Sequence, residues 1–260
     1  MTVNVYLDDL ATRAIIRDDE KEGIQTSIDT IINRLENYDS CRNQINKIII
    51  FGSYKRRTII SRQFDGNFDI DIMVVFGKVI NGFAITPRNY QFQKPKIYLT
   101  YLKNFVESKY SSSEIYKSHP AIVLELNHIK FELVPAIIDD WGKYKIPNNK
   151  IFNNWLYQEW MDTNPDDLDG KLENNPTLRR LVRVAKIWNA KHGYIFTSYE
   201  LEKWIVNHPF YFRNLANHFY IFCNNLSIEN PYNYQIKRLK EFFYYALQND
   251  NSDYIKHLFE

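Results

Sequence analysis

The sequence predicts an α+β protein that divides near residue 145, with a strand-bearing half at 1–145 and a helical lobe at 146–260. Three observations carry this expectation. Lys47-Ile-Ile-Ile-Phe51 is a β-branched run that stops at Gly52, Phe68 to Phe76 alternates with a period of two, and beyond about residue 150 the strand signals fade into helical spacing.

Taken in order, Val5, Leu7, Leu10, Ala14 and Ile15 suggest a short first helix. Ile24, Ile28, Ile31 and Leu35 recur at i, i+4, i+7 and i+11, which predicts a second helix over 24–37. The buried strand at 47–51 leads into a polar, basic stretch without period, Ser53 to Asn67, read as a loop. In the alternating strand, Phe68, Ile70, Ile72, Val74 and Phe76 share one face, and Asp69, Asp71, Met73 and Val75 share the other. Leu99, Leu102 and Val106 predict a helix over 96–110. Ala121–Leu126 and Ile129–Pro135 read as two strands joined at Asn127-His128, because Asn tolerates the positive φ of a two-residue hairpin turn. On the second of these, Glu132 shares a face with Lys130 and Val134. Four helices follow, at 177–191, 198–207, 211–225 and 234–248, the first closed by Gly193.

Composition narrows the function classes. A chain of 260 residues can bury a substantial core. Its net charge of +2 gives no global basic field, so no nucleic-acid partner is required and any nucleotide must be gripped locally. Cys41 and Cys223 are too few for a disulfide framework. The first residues lack a signal-peptide core, and no apolar run approaches the roughly 18 residues that a membrane span needs, so a cytoplasmic protein without a membrane partner is expected. There is no P-loop, no dinucleotide-binding glycine motif and no zincin motif, and the six histidines are scattered without ligand spacing.

The alternation puts Asp69 and Asp71 on the same face of one strand. Two carboxylates about 4 Å apart repel by roughly 4 kcal/mol at an effective dielectric of about 20, and a divalent cation reverses that sign. A solvent-exposed sheet face is the alternative, though Met73 and Val75 continue the same side. Phe51-Gly52-Ser53 ends a strand shortly before the pair. The glycine lets backbone approach a ligand, and Ser53 offers an N–H and a hydroxyl to a phosphate; an ordinary turn is the alternative. Glu132 completes a set of three if its strand lies beside that of the aspartates. In the helical lobe Arg179, Arg183 and Lys186 fall at i, i+4 and i+7, a basic stripe that reads either as a solvated face or as a triphosphate contact. Thr197-Ser-Tyr-Glu200 fits a helix capping box.

The ordered set Phe51-Gly52-Ser53, Asp69-Ile70-Asp71-Ile72 and Phe131-Glu132-Leu133-Val134-Pro135-Ala136 resembles the signature of DNA polymerase β-type nucleotidyltransferases. A narrower resemblance, to the bacterial cGAS/DncV-like nucleotidyltransferases (SMODS), adds Tyr54, Leu181 to Asn189 and Ser198-Tyr199-Glu-Leu-Glu202. It implies a polymerase β-like core, a mixed sheet with flanking helices, plus a C-terminal helical lobe similar to that of oligoadenylate synthetase. It implies Asp69, Asp71 and Glu132 as catalytic residues holding two Mg²⁺, with Mn²⁺ as a substitute. It implies Gly52, Ser53, Lys186, Ser198 and Tyr199 as nucleotide contacts, Lys186 and Ser198 on phosphate and Tyr199 on the base. The implied reaction joins nucleoside triphosphates (ATP, GTP or others) into a cyclic oligonucleotide messenger for anti-phage defence, read by an effector protein. A toxin-like transferase acting on tRNA or protein, and a catalytically silent nucleotide-binding module, are the competing readings. Two departures stand out: Arg56-Arg57-Thr58 where many family members carry Arg-Gly-Thr, and Glu132 where the third carboxylate is more often Asp.

Overall fold

The computed structural model describes residues 1–80, 83–85, 92–118, 120–126, 129–148, 159–211, 214–226 and 233–260. In chain order its elements are α1 (Val3–Arg13), α2 (Asp18–Glu36), β1 (Ile45–Phe51), α3 (Gly52–Lys55), β2 (Asp69–Phe76), β3 (Lys78–Ile80), β4 (Phe83–Ile85), α4 (Pro95–Lys109), β5 (Glu114–Ser118), β6 (Ala121–Leu126), β7 (Ile129–Ile138), β8 (Tyr144–Pro147) and β9 (Trp160–Thr163). The helical part continues with α5 (Asp169–Glu173), α6 (Pro176–Lys191), α7 (Ser198–Asn207), α8 (Leu215–Asn225) and α9 (Asn233–Asn249). The expected turn at Asn127-His128 lies outside the described residues.

The chain forms two compact units that do not meet at residue 145. One contains residues 18–55 and 69–167, and the other contains 1–17, 56–68 and 168–260. The difference has a physical reason. The apolar face of α1 is buried with the later helices, while β8 and β9 extend the sheet beyond residue 145.

The sheet unit is built on the order β1-β2-β7-β6-β5, with β8 on β7 and β9 on β8. The sheet is mixed, because β2 and β7 run parallel whereas β1–β2, β5–β6, β6–β7, β7–β8 and β8–β9 pair antiparallel. One face carries Ile70, Ile72, Phe131 and Leu133, all fully buried, and α4 packs against β6 and β7. On the opposite face Met73, Val75 and Ala136 form a smaller apolar cluster with Ile49, Phe51 and Tyr144. The segment read as a loop from Ser53 begins instead with the single helical turn α3.

In the helical unit one continuous core joins Val3, Leu7 and Leu10 of α1 to Leu181, Val184, Ala185 and Trp188 of α6, Leu201 and Ile205 of α7, Phe219 and Phe222 of α8 and Phe243 of α9. Thr197 caps α7 with the expected capping box to Glu200, and Gly193 follows α6 at φ +81°. No described helix is long and apolar enough to cross a membrane.

Candidate active site

The parallel pairing of β2 with β7 sets Asp71 opposite Glu132 and Asp69 opposite Lys130. Because side chains alternate along each strand, Asp69, Asp71 and Glu132 then leave the same face. One carboxylate oxygen from each lies within 4.8 Å of the other two. All three side chains are half-buried, so solvent screens them only in part. Burial, then the charge of Asp69, pushes the Glu132 carboxyl above its ordinary range, and the nearby Lys130 pulls it back in part. An all-oxygen set of this size and charge suits a hard divalent cation, so the cluster can hold a metal ion. Among the described residues it is the one such grouping of acidic, His or Cys ligand atoms.

On its other edge β2 pairs with β1, where Phe51 is opposite Asp71. Gly52 therefore leaves β1 directly beside that carboxylate. Its φ is +72°, and a Cβ placed on it would lie 1.8 Å from Asp71 Oδ2. Both facts demand glycine, for conformation and for space. Ser53 follows at 9% exposure, and Lys55 closes α3 with an ion pair to Asp166 at 2.6 Å.

Of the predicted residues, the structure thus brings Asp69, Asp71, Glu132, Gly52 and Ser53 together in the sheet unit. Lys186, Ser198 and Tyr199 belong to the helical unit. Ser198 and Tyr199 are exposed in the first turn of α7, where Lys203 lies 5.6 Å from the Tyr199 ring centre. The basic stripe of α6 is neither a solvated face nor an open phosphate surface. Arg179 donates to the carbonyls of Leu172 and Glu173. Arg183 is 7% exposed and donates to the carbonyls of Ala11 at 2.9 Å and Arg57 at 3.0 Å. Lys186 is 4% exposed, and its Nζ donates to Glu202 Oε1 at 2.5 Å.

Glu202 gathers two further donors that sequence reasoning missed. Thr58 Oγ1 donates to Oε1 at 2.7 Å, and Arg56 Nε donates to Oε2 at 2.5 Å. Arg56 Nη1 also lies 4.0 Å from Asp169 Oδ1. Burial raises the Glu202 carboxyl, but the charges of Lys186 and Arg56 and the hydrogen bonds from Lys186 and Thr58 outweigh it, and the net shift is downward. A signal existed: Glu202 falls on the apolar stripe of α7 with Leu201, Ile205 and Val206, and a charge on such a stripe needs a buried partner. Arg57, the departure from Arg-Gly-Thr, has φ +58°. The backbone there takes the left-handed conformation that favours glycine, and this chain carries the strain with an arginine.

Comparison with known proteins settles the lineage. The model of the SMODS family, the Second Messenger Oligonucleotide or Dinucleotide Synthetase domain, matches residues 1–175. The chain belongs to this family. It is accordingly a nucleotidyltransferase of the class that joins nucleoside triphosphates into oligonucleotide messengers. Among relatives, this SMODS protein is 26% identical to a probable cyclic nucleotide synthase of Bacillus cereus (strain VD146), over 82% of this chain and 72% of the other. Its fold resembles the CD-NTase CdnG of Bradyrhizobium diazoefficiens, solved in complex with GTP, with a TM-score of 0.72 at 11% identity over 97% of this chain and 93% of that one. It also resembles the DncV cyclic AMP-GMP synthase of Vibrio cholerae, solved with the linear intermediate pppA(3′,5′)pG, with a TM-score of 0.69 at 10% identity over 96% and 92%.

Proposed function

We propose that this SMODS protein condenses nucleoside triphosphates into a cyclic di- or trinucleotide, with release of pyrophosphate, and that Asp69, Asp71 and Glu132 form the centre where the bond is made. The observation that carries the reading is the convergence of these three carboxylates, from two adjacent parallel strands, beside a glycine whose φ and closeness to Asp71 disfavour any side chain.

When bound, a pair of Mg²⁺ ions supplies charge neutralisation at the reacting phosphate and lowers the pKa of the acceptor hydroxyl. The protein's own groups do the positioning. Asp69 and Asp71, on one strand, and Glu132, one strand over, would hold the ions. Gly52 keeps the backbone close, and Ser53 donates its N–H and hydroxyl to a phosphate oxygen. Lys186 and Ser198 contact the triphosphate, and Tyr199, 43% exposed, stacks on the base. The acceptor oxygen attacks the α-phosphorus as the bond to the pyrophosphate oxygen breaks, and the proton leaves the acceptor hydroxyl to solvent. Catalysis of this kind rests on alignment and charge more than on side-chain proton transfer. Solved structures of similar fold hold GTP, ATP or, in a c-UMP-AMP synthase, Apcpp with Upnpp, so the substrates proposed here are nucleoside triphosphates as a class. The product would act on an effector protein in anti-phage defence.

The test is mass spectrometry of the products formed from the four ribonucleoside triphosphates with Mg²⁺ or Mn²⁺. A cyclic oligonucleotide is expected, and Asp69→Asn with Asp71→Asn should abolish it. Undiminished product from the double variant, or label transferred to tRNA or protein in place of a small product, would overturn the reading.

A further inference from the structure

Lys186 presents a paradox as a phosphate contact, because its charge is buried against a carboxylate. The surroundings of that carboxylate resolve it. Glu202 is fully buried in α7 and takes hydrogen bonds from Thr58, Arg56 and Lys186, at 2.5 to 2.7 Å. These donors come from the two segments other than α7 that bear on nucleotide binding. Lys186 lies on α6. Arg56 and Thr58 belong to the stretch that leaves α3, and Ser53 is three residues before Arg56. Glu202 itself lies one turn into the helix whose first turn exposes Ser198 and Tyr199. A lysine ammonium has three N–H donors, so a bond to Glu202 fixes its direction and leaves further donors for an anion. A single carboxylate also under-compensates two cations. Asp169, at 4.0 Å, offsets Arg56 from the other end of its guanidinium rather than Lys186.

We propose that Glu202 is a positioning residue for triphosphate recognition: it aims Lys186 and anchors Arg56 while remaining out of contact with the nucleotide itself. The proposal rests on the reading of Lys186 as a triphosphate contact. It separates two things that a purely structural ion pair would lose together. Adenosine monophosphate depends on base stacking and on its single phosphate. A triphosphate depends in addition on where the Lys186 ammonium points. Shortening Glu202 by one methylene keeps the negative charge between the two cations but draws its oxygens away from all three donors.

Equilibrium titration with the α,β-methylene analogues of ATP and GTP in Mg²⁺, and with AMP and GMP, distinguishes the cases. Glu202→Asp should weaken the triphosphate analogue that binds by about tenfold, the loss of one well-directed bond to a charged group, and change monophosphate binding by less than about twofold. Glu202→Gln, where it folds, should do the same or more. Lys186→Gln is the control for the underlying reading, since undiminished triphosphate binding by that variant removes Lys186 from the site. If Lys186→Gln weakens triphosphate binding while Glu202→Asp keeps the triphosphate preference of the wild type, Glu202 does not position Lys186. Equal weakening of mono- and triphosphates by Glu202→Asp reduces Glu202 to a structural role.

Discussion

At the scale of single residues the candidate site is arranged against its own stability. Three half-buried carboxylates with oxygens within 4.8 Å repel one another until a cation is present. Replacing Glu132 by Gln keeps the shape and removes one charge. We expect Glu132→Gln to stabilise the metal-free protein by about 1 kcal/mol, the lower end of the Coulomb range at that separation, which is a rise of a few degrees in melting temperature. The same variant should lose product formation. A lower melting temperature in chelator would show that Glu132 is held by attractive partners instead. The site was legible in the sequence at this scale because alternation alone assigns Asp69 and Asp71 to one face. Glu132 needed one further assumption, the adjacency of its strand, which the parallel register of β2 and β7 supplies. The demand for glycine at position 52 is stronger than the motif conveys, since the obstacle is the Asp71 carboxylate itself.

At the scale of elements, the long periodic helices and the strands flanking the site could be read from sequence, and β5, β8 and β9 could not. These strands are short, β5 is largely exposed, β8 is mostly half-buried and β9 is half-buried at its ends and exposed between, so no alternation of burial marks them. The solvated-face alternative for α6 fails for a different reason. From Leu181 to Asn189 every residue is buried, and the helix has no solvated side for Arg183 and Lys186 to occupy. Their partners, Ala11, Arg57 and Glu202, lie far away in sequence, where periodicity cannot find them. The α6–α7 ion pair makes a pH prediction. The Glu202 carboxyl is held below its ordinary range, so its contribution is complete above the unfolded value of about 4.3 and is lost as pH falls through the lower folded value. Removing the carboxylate leaves Lys186 buried and uncompensated and Arg56 with Asp169 at 4.0 Å, at a cost of about 3–5 kcal/mol. Urea melts across pH should show Glu202→Gln strongly destabilised at neutral pH but with a shallower acid decline than wild type. Parallel acid declines in the two proteins would remove Glu202 as the source.

At the scale of the whole molecule, the expected cut near residue 145 fails because the units interleave. The chain passes between them after residues 17, 55, 68 and 167. A fragment of residues 146–260 would retain α5 to α9 but lack α1, whose Val3, Leu7, Leu10 and Ala11 are fully buried in their core. It would lack Arg56 and Thr58 as well, leaving Glu202 with Lys186 alone of its three donors. We expect that fragment to show no cooperative thermal transition by circular dichroism, and a sharp transition would mean that α1 is dispensable. The same arrangement bears on how the protein is made. The apolar face of α1 emerges from the ribosome early, yet apart from Ile60 and Phe64 its core partners begin at residue 168 and continue to Phe259. At bacterial translation speeds of about 5–20 residues per second, that face waits on the order of ten seconds for its core. During synthesis it is a greasy amphipathic helix without a home, the kind of segment that nascent-chain chaperones shield, so yield from a host should track chaperone supply more closely than the finished protein's stability would suggest.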